Sequence, residues 1–502
     1  VYLEWDKNRG TTQYNISTVL KSTKMNAERL RGAVVKVLQV HPYMNTVMAI
    51  KDGDIMQKRI DDVPAEIEIR RLVDEPVQAY FQEFVRPFNL LSGPLYRIKI
   101  FQSPSAVYLF LDFHHVISDG LSINLFMKEL QAAYSGGDLA MEKYTYFDHT
   151  LDEYAMTVSK RYQEAEDYFD HLLSGVQVTS YPLSTEGTTK DAYDSATTKI
   201  KGEEINFFCH ENGFTQGNYF LTAFLHVLHS MTFEDSVMIT TINNGRNDYR
   251  AMNTMGMFVK TLPVVSTMDT SMAASINMVQ AVESMQKQFQ STQSYDFYPF
   301  IKMGERHHVH AQIMFEYQVG IGSTGSDDLT LMPLAANKVL IPLVVSVMNP
   351  DDEGNYTLLV RYAPSLYSRE DMESLLLMVK TVSEKAVTSP TMASIPLQDG
   401  NRISQVISLS AGPALDMDIS KTFANLFTEC AHKYGSHIAV NDDGGEHTYQ
   451  QLENASNILA HRLIDAGVEP ESFVCLMLER TWFFPMAIIA THKAGAAYTP
   501  LD

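Results

Sequence analysis

Apolar residues recur along this chain with two periods, and the switches between them mark its elements. Ala106-Val107-Tyr108-Leu109-Phe110-Leu111 is a short continuous apolar run, which predicts a buried strand. Soon after it, Leu121 to Leu130 spaces its apolar residues along one face of a helix. Ser118 or Asp119 stands where a cap for that helix belongs. Helical spacing also covers 26–38, 216–231, 271–291 and 369–387, and a long charged amphipathic helix is predicted over 147–173. Apolar runs at 236–241 and 339–346 predict further strands. The polar stretch 181–189 reads as a loop crossing between two lobes. Residues 1–175 therefore read as a mixed α/β lobe, and the stretch to about 400 repeats the theme without any sequence repeat.

Composition narrows the class. A chain of 502 residues predicts about three compact units. Its net charge of −21 argues against a nucleic-acid partner, because phosphates need a basic face. No run of ~18 apolar residues is present, so no membrane span is expected. No signal peptide opens the sequence. The three cysteines, Cys209, Cys430 and Cys475, are widely spaced and odd in number. They make neither a disulfide framework nor a zinc site, they fit a reducing cytoplasm, and each reads most simply as a small buried hydrophobe. His307, His308 and His310 lack partners at metal-ligand spacing and read as loop or surface residues.

The chemistry concentrates at the strand-to-helix switch, Phe113-His114-His115-Val116-Ile117-Ser118-Asp119-Gly120. Such a junction aims side chains into a cleft, and imidazole changes charge near neutral pH, so a histidine here is the default base. His-His-x-x-x-Asp-Gly resembles the motif of the condensation domains of nonribosomal peptide synthetases, in the superfamily that includes chloramphenicol acetyltransferase. Other stretches agree in order and spacing: Pro87 to Arg97, Asn243 to Asn247, Met255 to Pro263, and Tyr298-Pro299-Phe300. Three departures stand beside them. Val40 to Thr46 only partly matches an early family segment, Lys260 replaces the usual Asn, and Gly304 to His308 replaces a later segment.

The resemblance implies two acetyltransferase-like lobes, over 1–175 and 176–405, as a V-shaped pseudo-dimer with a channel between them. It also implies a thioester donor and an amine acceptor, each on the phosphopantetheine arm of a peptidyl carrier domain, with no cofactor or metal held by this chain. His115 is then the candidate base or amine-positioning group. The Gly120 N–H is the natural oxyanion donor at a helix start. Asp119 is expected to turn inward, in a salt bridge with Arg246. His114 stands beside His115 in the candidate catalytic set, but one residue earlier on a strand it faces the other way and reads better as packing support. Ser118 is assigned structural support.

A second resemblance follows a linker at 406–420. Phe423 to Phe427, His447 to Leu452 and His492 to Asp502 are similar to the start of an adenylation domain, so 421–502 is expected to be its N-terminal fragment, ending before any phosphate loop. Condensation followed by adenylation is an elongation arrangement. The alternatives are a coenzyme A-dependent acyltransferase, an epimerisation domain, a non-catalytic platform that docks carriers, and a scaffold for the adenylation domain.

Overall fold

The computed structural model describes residues 2–7, 9–60, 67–72, 76–184, 188, 192–318, 328–332, 339–412 and 418–501. The strands in chain order are β1 Asn15–Ser22, β2 Thr46–Lys51, β3 Asp54–Arg59, β4 Glu68–Arg71, β5 Tyr96–Gln102, β6 Val107–His114, β7 Asp194–Ile200, β8 Ser236–Asn243, β9 Lys260–Thr267, β10 Ile313–Gln318, β11 Thr330–Met332, β12 Leu343–Pro350 and β13 Tyr356–Tyr362, then β14 Ile438–Asp442, β15 Gly445–Thr448, β16 Phe473–Leu476 and β17 Ala497–Pro500. The helices that matter most below are α1 Ala27–Val40, α2 Gly120–Tyr134, α3 Tyr146–Met156, α4 Lys160–Leu173, α5 Gln216–Thr232, α6 Met278–Ser294, α7 Phe300–His307 and α8 Arg369–Lys385. The architecture is mixed α/β. Residues Val1–Ser404 and Gln405–Asp502 form two compact units.

Two sheets organise the larger unit. The first runs β11-β1-β6-β5-β4 and the second β7-β13-β12-β10-β8-β9. Strand β11 comes from the second half of the chain yet pairs antiparallel with β1, Val19 opposite Met332, a crossover that no periodicity predicts. One face of the first sheet packs on α1 and α2 through Leu109, Leu111, Phe113, Val34, Val37, Phe126 and Leu130. One face of the second packs on α5, α6 and α8 through Phe315, Val345, Val360, Phe224, Val282 and Leu375.

Strand β6 runs three residues beyond the apolar run, to His114. It does so because Asp112, fully buried, is satisfied there. Its carboxylate accepts from Ser17 Oγ at 2.8 Å, Asn15 Nδ2 at 3.0 Å and Arg97 Nη1 at 2.8 Å. Burial raises the Asp112 pKa, and these donors work against that shift.

Other departures have local causes. The helix expected over 147–173 is two helices, because the Ser159 hydroxyl caps a new start by accepting from Tyr162 N–H. The helix expected over 271–291 is broken at Asn277, whose side chain and that of Gln280 form a capping box. The strand expected over 339–346 starts only at Leu343, after Pro342, which cannot donate to a ladder. Residues 185–187 and 189 of the expected crossing loop lie outside the described residues. Helix Gly400–Ser410 runs into the expected linker, of which 413–417 lie outside the described residues.

Cys209 is buried, but Cys430 and Cys475 are exposed, against the expectation of buried small hydrophobes; all three are free. His307 lies at the end of α7 rather than in a loop, with its Nε2 in a hydrogen bond to Asp170 at 2.7 Å, because α7 packs along α4; His308 and His310 are exposed. No helix among the described residues is long and apolar enough to cross a membrane.

In the smaller unit β14 and β15 form an antiparallel pair and β16 and β17 a parallel pair. Helix Tyr449–Asp465 supplies Glu453, which pairs with Lys493 of helix Phe483–Lys493 at 2.7 Å. The segment 492–502 joins that helix to β17, and its last residue, Asp502, lies outside the described residues.

Candidate active site

His115 directly follows β6. Its backbone N–H donates to the Tyr14 carbonyl at 2.8 Å, so backbone pairing continues one residue past the strand. The side chain is partly exposed, while its Nδ1 is enclosed and takes no hydrogen bond. Burial lowers its pKa; the backbone of His115 and Ser118 and the charge of Asp119 offset part of this. The imidazole is therefore neutral near neutral pH and able to accept a proton.

His114 is placed differently. It lies on the sheet face that carries Asp112, and its ring meets Phe88 edge-on at 5.8 Å. Its Nδ1 accepts from the Val116 N–H at 3.1 Å, which puts its own proton on Nε2. Burial, and then His115, pull its pKa down to about 3. It is a neutral strut of the turn. Ser118 is buried, with its hydroxyl 3.5 Å from the Asp119 carbonyl, the limit of a hydrogen bond. Gly120 opens α2, so its N–H is one of the four without an acceptor inside the helix.

Asp119, rather than Ser118, caps α2. Its Oδ1 accepts from the Ser122 N–H at 2.8 Å and from Arg246 Nη2 at 3.1 Å, and its Oδ2 accepts from the Phe258 N–H at 2.9 Å. Arg246 spends its other Nη on the carbonyls of Ala251 at 2.5 Å and Thr254 at 2.6 Å. Its guanidinium lies 4.1 Å from the Phe258 ring centroid. Asp119 and Arg246 are both buried, so each is the other's neutralising charge.

Ser122 was not among the expected residues, yet it joins the same network. Its hydroxyl lies 2.8 Å from Asp119 Oδ1 and 2.8 Å from the Gly256 carbonyl, and it accepts from the Gly256 N–H at 3.1 Å and Arg246 Nη2 at 2.9 Å. The signal was a serine in the first turn on the apolar side of an otherwise greasy helix. Segment 255–260 is pinned at Met255, Gly256, Met257, Phe258 and Lys260. Met255 N–H donates to Glu142, the Met257 carbonyl accepts from Tyr146 Oη at 2.7 Å, and Lys260 pairs with Glu153. Burial alone would raise the Glu153 carboxyl, but His149 and Lys260 hold it down to about 2.

Two glycines are required here. Gly245 has φ +65°, and a Cβ there would meet the Phe258 carbonyl oxygen at 2.0 Å. A Cβ on Gly256 would lie 2.3 Å from the Tyr146 ring. The departing segment at 40–46 also reaches this region. His41 bridges Glu129 and Glu142, and burial opposes its charge, but the two carboxylates outweigh burial and raise it to about 9. Among the described residues no group of three or more His, Cys, Asp or Glu could hold a metal ion.

The family described as Condensation domain matches residues 5–396, and the one described as AMP-binding enzyme matches 427–502. The chain belongs to the condensation-domain family. Tyrocidine synthase 3 of Brevibacillus parabrevis is 23% identical over 97% of this chain and 8% of its own length. Gramicidin S synthase 2 of Aneurinibacillus migulanus is 25% identical over all of this chain and 12% of its own. The chain thus spans only a small part of these curated relatives. Among solved structures, a four-domain nonribosomal peptide synthetase bound to AMP and glycine has a TM-score of 0.71 at 19% identity, over 99% of this chain and 41% of that one. The X-domain from teicoplanin biosynthesis has a TM-score of 0.66 at 16% identity, over 79% and 95%. These likenesses establish the fold.

Proposed function

We propose that this chain forms peptide bonds in nonribosomal peptide synthesis. The acceptor amine attacks the donor thioester carbonyl, the C–N bond forms, and the C–S bond breaks. The amine gives up one proton, and the donor carrier's pantetheine leaves as a thiol. The observation that carries this reading is a neutral, partly exposed His115 directly after β6 and the helix-start N–H of Gly120 at the head of α2, joined by a loop braced by Asp119, Ser122 and Arg246. His115 accepts or positions the amine proton, and the Gly120 N–H faces the developing oxyanion. Placing both arms end to end supplies a further share of the rate. His114 supports the turn, and Ser118 and Arg246 hold the loop.

The partners in this reading are donor and acceptor carrier domains, each bearing phosphopantetheine, and an adjoining adenylation domain. The chain holds no cofactor of its own, works in the cytoplasm and takes no nucleic acid, in keeping with its net charge of −21. Its parts are the lobes 1–175 and 176–405, the linker 406–420 and the adenylation fragment 421–502. The test loads aminoacyl groups on two carrier proteins, adds the chain, and looks by intact mass for the dipeptidyl carrier. Product from wild type and not from a folded His115→Ala variant supports the reading. Equal product from both removes His115 from the chemistry.

A further inference from the structure

The second sheet holds a buried carboxylate that the chemistry above does not use. Glu316 lies in β10, and three donors converge on its Oε2: Gln318 Nε2 at 2.7 Å, Ser346 Oγ at 2.8 Å and Arg361 Nη2 at 2.9 Å. Its Oε1 takes no hydrogen bond from the described residues. Phe315 and Val345 face the helical core, so strand alternation sends Glu316 and its register partner Ser346 to the opposite face.

Its position along the strand sets it at the end of the sheet from which the Arg246 segment departs. Strands β8 and β10 are parallel neighbours, with Thr241 level with Phe315. Glu316 is therefore level with Ile242, one step of about 3.3 Å farther toward the strand ends. At that edge β8 runs out into Asn243 to Arg246, and Arg246 grips Asp119. In open α/β sheets ligands gather at the carboxyl ends of parallel strands. Oε1 is not among the enclosed unpartnered atoms of the described residues, so it stays accessible, and fixing Oε2 with three donors sets its direction.

We infer that Glu316 Oε1 receives the α-amino group of the acceptor and makes the site selective for a free amine. This rests on the proposed peptide-bond reading, but its test does not require turnover. Glycyl-aminopantetheine, an amide that cannot react further as a donor, and its N-acetyl form are titrated calorimetrically into the full chain. Wild type is expected to bind the free amine about tenfold or more tightly than the acetylated probe, the size of one charge-assisted hydrogen bond. Glu316→Gln, isosteric and able to keep the Ser346 and Arg361 contacts, is expected to erase that preference with circular dichroism unchanged. Should it misfold, Glu316→Asp keeps the charge one methylene farther back and is expected to reduce the preference. Wild type that binds neither probe or both equally overturns the inference, as does a folded variant that keeps the full preference. An amine preference in a wild type that forms no dipeptidyl carrier overturns the peptide-bond reading and leaves the anchor standing.

Discussion

Asp119 and Arg246 stand 127 residues apart in sequence and meet at 3.1 Å inside the protein, where among the described residues each is the other's ion-pair partner. The pair ties the start of α2 to the loop after β8, and so ties the first sheet's His115 to the second sheet. Removing either partner leaves a buried charge. Asp119→Ala and Arg246→Ala are each expected to destabilise by roughly 3–5 kcal/mol in urea unfolding, and the double variant by much less than their sum. Simple additivity would mean that the two charges are not coupled.

His115 should set the acid limb of the pH–rate profile. Its pKa is lowered by burial, so the neutral form persists below the ordinary histidine value, and the limb should fall below pH ~6.5. His115→Ala is expected to lose about 10²–10⁴-fold in rate with an unchanged melting temperature. A limb at or above pH ~6.5 in wild type would remove His115 as the titrating group.

His41 and His114, two of the buried histidines outside the chemistry, predict opposite pH arms of stability. His41 is raised to about 9, so its contribution is whole below the unfolded value and is lost as pH rises from ~6.5 through 9. His114 is lowered to about 3, so stability is whole above ~6.5 and falls as pH drops toward 3. Denaturation midpoints measured across pH should decline on both sides. In His41→Gln the alkaline decline should flatten and the acid one remain.

Two glycine substitutions should have opposite signs. Gly32 lies inside α1 with nothing within 4 Å of an added Cβ, so Gly32→Ala is expected to stabilise by roughly 0.5–1 kcal/mol. Gly256→Ala drives a methyl into the Tyr146 ring and is expected to destabilise by about 1–3 kcal/mol. Calorimetric melts of both variants check the pair.

Ser122→Ala should behave as a network lesion. It strips a buried partner from the Gly256 backbone and from Arg246, at a cost of about 1–3 kcal/mol, while the α2 cap through Asp119 and the Ser122 N–H remains. Hydrogen exchange at Gly256 should accelerate in the variant; unchanged protection would mean that the hydroxyl is dispensable.

What the sequence determined by itself was local. Period 3.6 and period 2 patterns placed α2, α5 and α8 and the start of β6, because those patterns are set by the side chains each element must bury. The motif at 114–120 was legible because capping and strand-end chemistry depend on residues within a few positions of one another. Where a polar residue interrupted an apolar run, periodicity stopped short, as at Asp112, whose burial depends on Asn15, Ser17 and Arg97. Only the tertiary structure decided which distant groups would meet. The partners of Ser122, the crossing of β11 into the first sheet and the donors on Glu316 all depend on strand register and helix placement. A hydrogen bond between residues far apart in sequence leaves no period in either segment, so it becomes visible only when packing brings the two segments together.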